Sequence, residues 1–149
     1  MRAVVQRVSQ ASVMIADKKI AEIGKGLLVL LGVGRDDFDA DVEYMIRKIA
    51  GLRIFADEKG KMNCSLSQVG GEILLVSQFT LFGDVRRGTR PSFQGAANAE
   101  SGKNLYLEVL RGLRNRGCRV SEGRFQEMMA VSLVNDGPVT ILLDSKKLF

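Results

Sequence analysis

Ser77, Gln78 and Thr80 put two hydroxyls and an amide within four residues of the stretch "VSQFTLFGD" (76–84), directly after Ile73, Leu74, Leu75 and Val76. That apolar run reads as a buried strand, and a buried polar group without a partner costs about 1–3 kcal/mol. Each of the three must be satisfied, by a neighbouring carbonyl or by something that binds. Strand alternation assigns Val76, Gln78 and Thr80 to one face and Ser77, Phe79 and Leu81 to the other. One hydroxyl near a strand end usually bonds a neighbouring carbonyl. Three polar groups ahead of a turn at Gly83 make a pocket lining an equal reading.

The chain contains no histidine, and its two cysteines, Cys64 and Cys118, have no CxxC spacing. A Ser-His-Asp triad, a Cys-His dyad and a histidine zinc motif are excluded, and no metal or cofactor is expected. Proton transfer must fall to carboxylates, water, backbone groups or the substrate. Lone thiols suit a reducing compartment, so the cytoplasm is expected. A net charge of +5 favours a polyanionic partner. Arg86, Arg87 and Arg90 stand beside the polar cluster, and Lys103, Arg111 and Arg114 recur on one face of a helix further on. Arginine forks match phosphate oxygens, so both groups are candidates for a nucleic-acid backbone. With no Trp and two Tyr, a base-stacking platform is not expected.

The third stretch is "VSLVNDGPVTILL" (131–143), in which Asn135, Asp136, Gly137 and Pro138 read as a hairpin turn between two apolar strands. A Gly-Pro bond can be cis at a cost of about 0.5–1 kcal/mol, and a cis bond turns consecutive carbonyls to one side as a pair of acceptors.

The elements that must hold these residues follow from periodicity. Strands are expected over 2–8, 11–16, 20–23, 27–33 and from Ile73 onward, then over about 128–134 and 139–144. "DDFDADVEYMIRKIAG" (36–51) is helical, with Val42, Met45, Ile46 and Ile49 at i, i+3, i+4 and i+7, Asp39 as N-cap and Gly51 at the C-terminal end. A second helix is expected from about Ala97 to Arg116, burying Leu105, Tyr106, Val109, Leu110 and Leu113. The pattern predicts one α+β domain over 1–149, with a largely antiparallel or mixed sheet and two main helices. The longest apolar run, "LLVLLGV" (27–33), is too short to span a bilayer.

"SQFTL" (77–81) and "NDGPVT" (135–140) match the two signature motifs of the D-aminoacyl-tRNA deacylases, in order and in register. "QRVSQASV", "GLLVLLGV", "RIFADEKGKMN" and "RGTRPSF" also resemble that family, so the likeness covers essentially the whole chain. It implies the deacylase-like fold, a homodimer with active sites at the subunit interface, and aminoacyl-tRNA as partner. The implied reaction is hydrolysis of the ester of D-aminoacyl-tRNA, or of glycine mischarged on alanine tRNA, with L-aminoacyl-tRNA rejected. Catalysis would fall to Ser77, Gln78, Phe79 and Thr80, with backbone N–H groups around Phe79 and Thr80 facing the ester carbonyl. Asn135, Gly137 and Pro138 would select chirality from the partner's site, with the Gly-Pro step cis and Arg7 holding its loop.

A threonine nucleophile needs a base. A lysine, carboxylate or water serves, or the adenosine 2′-OH assists while Thr80 positions substrate or water; the second is preferred. The competing readings are a nucleic-acid-binding module without catalysis and a threonine-nucleophile hydrolase of small metabolites.

Overall fold

The computed structural model describes residues 1–148. Three antiparallel pairings radiate from β1 (Arg2–Ile15), and two parallel ones continue from β3. On one edge of β1, Arg2–Val8 pairs with β3 (Gly26–Gly32) and Ala11–Ile15 with β2 (Lys18–Ile23). On the other edge lies β8 (Ala130–Asp144). Beyond β3, β6 (Glu72–Ser77) and β7 (Arg119–Glu122) extend the sheet in parallel. β4 (Phe55–Ala56) and β5 (Met62–Cys64) form a separate ribbon. The α+β class holds and the sheet is mixed. No helix is long and apolar enough to cross a membrane.

β3 and β6 are apolar on both faces because each face has its own core. Leu27, Val29, Leu31, Ile73 and Leu75 pack toward α1 (Asp39–Gly51) and α2 (Ala99–Asn115). Leu28, Leu74 and Val76 pack on the opposite side with Val8, Ala11, Val13 and Ile23. Strict alternation would put Val8 and Ala11 on opposite faces. Both reach the second core because the β1–β8 register shifts between Val8 and Gln10.

The helices follow their stripes. Val42, Met45, Ile46 and Ile49 are buried on α1, as are Tyr106, Val109, Leu110 and Leu113 on α2, while Leu105 is half-buried. The two helices pack where Gly112 leaves room, since a Cβ there would collide with the Ile46 side chain. Asp39 is the first helical residue and Phe38 the N-cap; Asp41 does the capping, its carboxylate accepting from the Phe38 N–H at 3.0 Å. Gly51 closes α1 from inside the helix and Leu52 is its C-cap.

Two expectations for the strands need correction. Residues 2–8 and 11–16 form one strand, and so do 128–134 and 139–144. Residues 135–138 are no hairpin turn: both halves of β8 pair with β1 in the same antiparallel sense, so the chain never reverses. Between the pairs Val8–Asn135 and Gln6–Thr140, β1 advances two residues and β8 five, and residues 136–139 bulge outward.

Candidate active site

The last β6 pairing joins Ser77 to Leu31, and the Gln78 N–H donates to the Leu31 carbonyl at 2.8 Å. The chain then leaves the sheet in a single 3₁₀ turn, Phe79–Phe82, closed by the Gly83 N–H on the Thr80 carbonyl at 2.9 Å. The expected strand alternation through Thr80 therefore stops at Ser77. The turn brings Gln78 and Thr80 together by another route: Gln78 Nε2 donates to Thr80 Oγ1. Among the described residues, the Phe79 and Thr80 N–H groups have no hydrogen-bond partner, as the first donors of a helical turn do not. Phe79 is exposed, its ring set edge-on against Phe93 at 5.0 Å between centroids.

Ser77, Gln78, Phe79 and Thr80 line a cleft of about 630 Å³. Its other walls are the start of α2 (Asn98, Ala99 and Gly102) and the segment from Phe125 to Met129. The Asn98 side chain caps α2 by accepting from the Ser101 N–H at 2.9 Å, so the positive end of that helix meets the cleft. The Phe125–Met129 wall carries no motif, although Met128 and Met129 suit an adaptable apolar lining. Met128 is almost fully exposed at 90%. Glu127 is the one carboxylate in the lining, 3.8 Å from Arg124, and no lysine joins it. Among the described residues, the hydrogen bond to the Thr80 side chain comes from an amide, Gln78 Nε2.

Gly137 and Pro138 lie elsewhere. They do not line the cleft of their own chain, although Val131, earlier in the same strand, does. Their bulge is exposed and braced from within, and its Gly137-Pro138 bond is cis. Asn135 Oδ1 accepts from the Val139 N–H at 2.9 Å, and its Nδ2 donates to Thr140 Oγ1 at 3.1 Å. Arg7, in β1 opposite the bulge, donates from Nε to the Asp136 carbonyl at 2.9 Å and from Nη1 to the Ile54 carbonyl at 2.6 Å. Gly137 has φ +134°, and a Cβ there would stand 2.8 Å from Val139 Cγ2.

The basic candidates divide. Arg86, Arg87 and Arg90 sit on a hairpin closed by the Asp84–Ser92 pairing, at the far end of the 3₁₀ turn. Arg86 grips Asp84 with two nitrogens, at 2.9 and 2.6 Å, which holds that carboxyl far below its usual range. Lys103 is exposed and follows Gly102, which lines the cleft. Arg111 and Arg114 follow it by 8 and 11 residues along α2, about 12 and 17 Å. Arg114 is engaged by the Val120 carbonyl and Glu122. Among the described residues no His, Cys, Asp and Glu cluster could hold a metal ion.

Known proteins resemble this chain in architecture and in sequence. The chain is 57% identical to a D-aminoacyl-tRNA deacylase of Thermotoga petrophila and 60% identical to one of Koribacter versatilis, each over the full length of both proteins. A solved structure named c-Myc DNA Unwinding Element Binding Protein superposes with a TM-score of 0.91 at 43% identity, covering 97% of this chain and 98% of its own. A probable eukaryotic D-amino acid tRNA deacylase shares the fold at a TM-score of 0.79 and 20% identity, over 95% of this chain and 97% of its own. The family model described as D-Tyr-tRNA(Tyr) deacylase matches residues 4–144, both motifs included, and the chain belongs to that family.

Proposed function

We propose that this protein hydrolyses the ester between a D-amino acid and the terminal adenosine of tRNA. The observation that carries this reading is the cleft at the end of β6, where the two unbonded N–H groups of Phe79 and Thr80 stand, in a chain that belongs to this family. Two such donors suit the oxyanion that forms when water attacks the ester carbonyl, and one donor of this kind is worth about 3–4 kcal/mol. The attacking water loses its proton and the ribose 3′-oxygen leaves with one. The adjacent 2′-OH relays it, since among the described residues no carboxylate or lysine hydrogen-bonds Thr80. The Thr80 hydroxyl, accepting from Gln78, positions substrate or water.

The active form is a homodimer in which the Gly137-Pro138 bulge of one subunit enters the cleft of the other. Support comes from the bulge's exposure, its absence from the lining of its own chain's cleft, and the free edge of β8, where Val134 and Leu142 are exposed. Main-chain groups near the Cα of the aminoacyl end reject an L side chain by contact. A site of that kind also admits glycine mischarged on alanine tRNA. The protein works in the cytoplasm, where tRNA is charged.

The likeness to the DNA Unwinding Element Binding Protein favours a second reading, nucleic-acid binding without catalysis. Hydrolysis of D-tyrosyl-tRNA against L-tyrosyl-tRNA separates the two. Rapid release of D-tyrosine alone is expected; retention without hydrolysis would favour the second reading.

A further inference from the structure

A second cavity, of about 640 Å³, opens on the other side of the 3₁₀ turn. Phe79 and Thr80 line the first cleft, and Phe82 and Gly83 line the second, so one turn separates them. At about 2 Å of rise per residue, Thr80 and Gly83 stand roughly 6 Å apart along that turn. Among the described residues the second lining holds three arginines, Arg2, Arg35 and Arg86, against one carboxylate, Asp84. Sequence position hides this grouping, because Arg2 and Arg35 come from β1 and the loop after β3.

Each guanidinium is held with donors to spare. Arg2 stacks over the Phe82 ring at 4.7 Å and donates from Nη1 to the Leu81 carbonyl at 3.0 Å; its Nε meets Asp144 at 3.2 Å. Arg86 gives Nε and Nη2 to Asp84 and keeps Nη1. Among the described residues Arg35 contacts only the exposed Asp36, through Nε at 3.2 Å, a surface pair of little strength, and keeps both Nη groups. Ser92 and Gln94 add further donors to the lining. Arginine forks beside neutral donors suit a phosphodiester.

We infer that this second cavity binds the backbone phosphates next to the terminal adenosine, while the first cleft holds the aminoacyl end. The inference rests on the proposed deacylase reading and assigns that reading's substrate contacts to Arg2, Arg35 and Arg86 rather than to the distant end of α2.

The test compares D-tyrosyl-tRNA with D-tyrosyl-adenosine, which carries the same ester and no phosphate. Arg35→Ala is the first variant, since its side chain is 65% exposed and its loss leaves the fold alone. The ratio of kcat/KM on tRNA to that on the adenosine ester should fall about five-fold, as for one charged hydrogen-bonding contact. The slope of log K for tRNA against log[salt] should shrink by about 0.7, the value of one single-strand phosphate. Arg86→Ala should lower the ratio further, and Arg35→Lys should restore the salt slope. An unchanged ratio in both alanine variants, or an equal fall on both substrates, overturns the inference while leaving the deacylase reading intact. A wild-type protein that hydrolyses neither ester removes that reading and the inference with it.

Discussion

Arg7 and Asp136 face each other across the β1–β8 ladder, with Arg7 Nε on the Asp136 main-chain oxygen at 2.9 Å and on its carboxylate at 3.5 Å. The same guanidinium reaches the Ile54 carbonyl at 2.6 Å and is only 14% exposed. One side chain thus ties the bulge to the body of the protein. Arg7→Ala removes hydrogen bonds from a charged donor, each worth about 1.5–3 kcal/mol. Thermal unfolding should shift down by several degrees. Hydrolysis of D-aminoacyl-tRNA should fall more than ten-fold at temperatures where circular dichroism still reports a folded sheet. Activity that tracks the folded fraction alone would reduce Arg7 to a structural role.

Gly137→Ala should be more damaging to activity than to stability. Its φ of +134° disfavours any L side chain, and the new Cβ would crowd Val139 and come within 3.0 Å of Arg7 Nη2. The strain, about 1–3 kcal/mol, stays within an exposed bulge. The D-ester rate should drop at least ten-fold while the melting temperature falls by only a few degrees. Wild-type kcat/KM in this variant would remove Gly137 from the site.

Mixing two damaged chains tests the shared site directly. If each cleft takes Thr80 from one subunit and Gly137 from the other, a heterodimer of Thr80→Ala and Gly137→Ala contains one wholly wild-type site. Refolding an equal mixture should recover about a quarter of wild-type activity by random pairing in a two-fold dimer. Light scattering should give the mass of a dimer. Recovery no greater than the sum of the separate variants would place both residues in one chain's cleft or in none.

Thr80→Val should lower kcat/KM about ten-fold, because the valine keeps the shape and loses the oxygen that Gln78 bonds. Loss of a true nucleophile would approach the uncatalysed rate, apart from the oxyanion contribution. Mass spectrometry after rapid quenching should detect no aminoacyl group on Thr80. A trapped ester there would establish covalent catalysis. EDTA should leave the wild-type rate unchanged.

Stability should have an acid limb to which the buried Asp41 contributes. Burial alone would raise its carboxyl, but Lys146 Nζ at 2.7 Å, Ser145 Oγ and the Phe38 N–H together hold it below its ordinary 3.8. Asp37 and the Met1 amine complete that cluster. A depressed folded value means that the carboxylate stabilises fully above about pH 4 and loses its effect as pH falls through the folded value. Lys146 is raised by the same hydrogen bond, so its contribution holds below 10.5 and is lost as pH rises through its folded value. Asp41→Asn should cost about 2 kcal/mol at pH 7 and flatten the acid limb of the urea-denaturation midpoint. An unchanged acid limb would assign that limb to other carboxylates.

The sequence by itself determined which faces are apolar. Val42, Met45, Ile46 and Ile49 repeat at helical spacing, and the unbroken β3 and β6 runs announce strands with a core on each side, because both signals lie within a few residues of chain. It determined too that no histidine chemistry operates, and the SQFTL and NDGPVT motifs announced the family. Tertiary structure decided where those patterns stop. β6 ends at Ser77, where the Leu31 carbonyl receives the last bond of the ladder and the chain is free to turn. Residues 135–138 became a bulge and not a hairpin because both halves of β8 find the same partner, β1, more than 100 residues earlier. The cleft walls at Asn98 and Phe125–Met129, and the meeting of Arg2, Arg35 and Arg86, likewise join segments distant in sequence. Periodicity is written locally, whereas pairing and cavity lining are properties of non-local contacts, and no single stretch carries them.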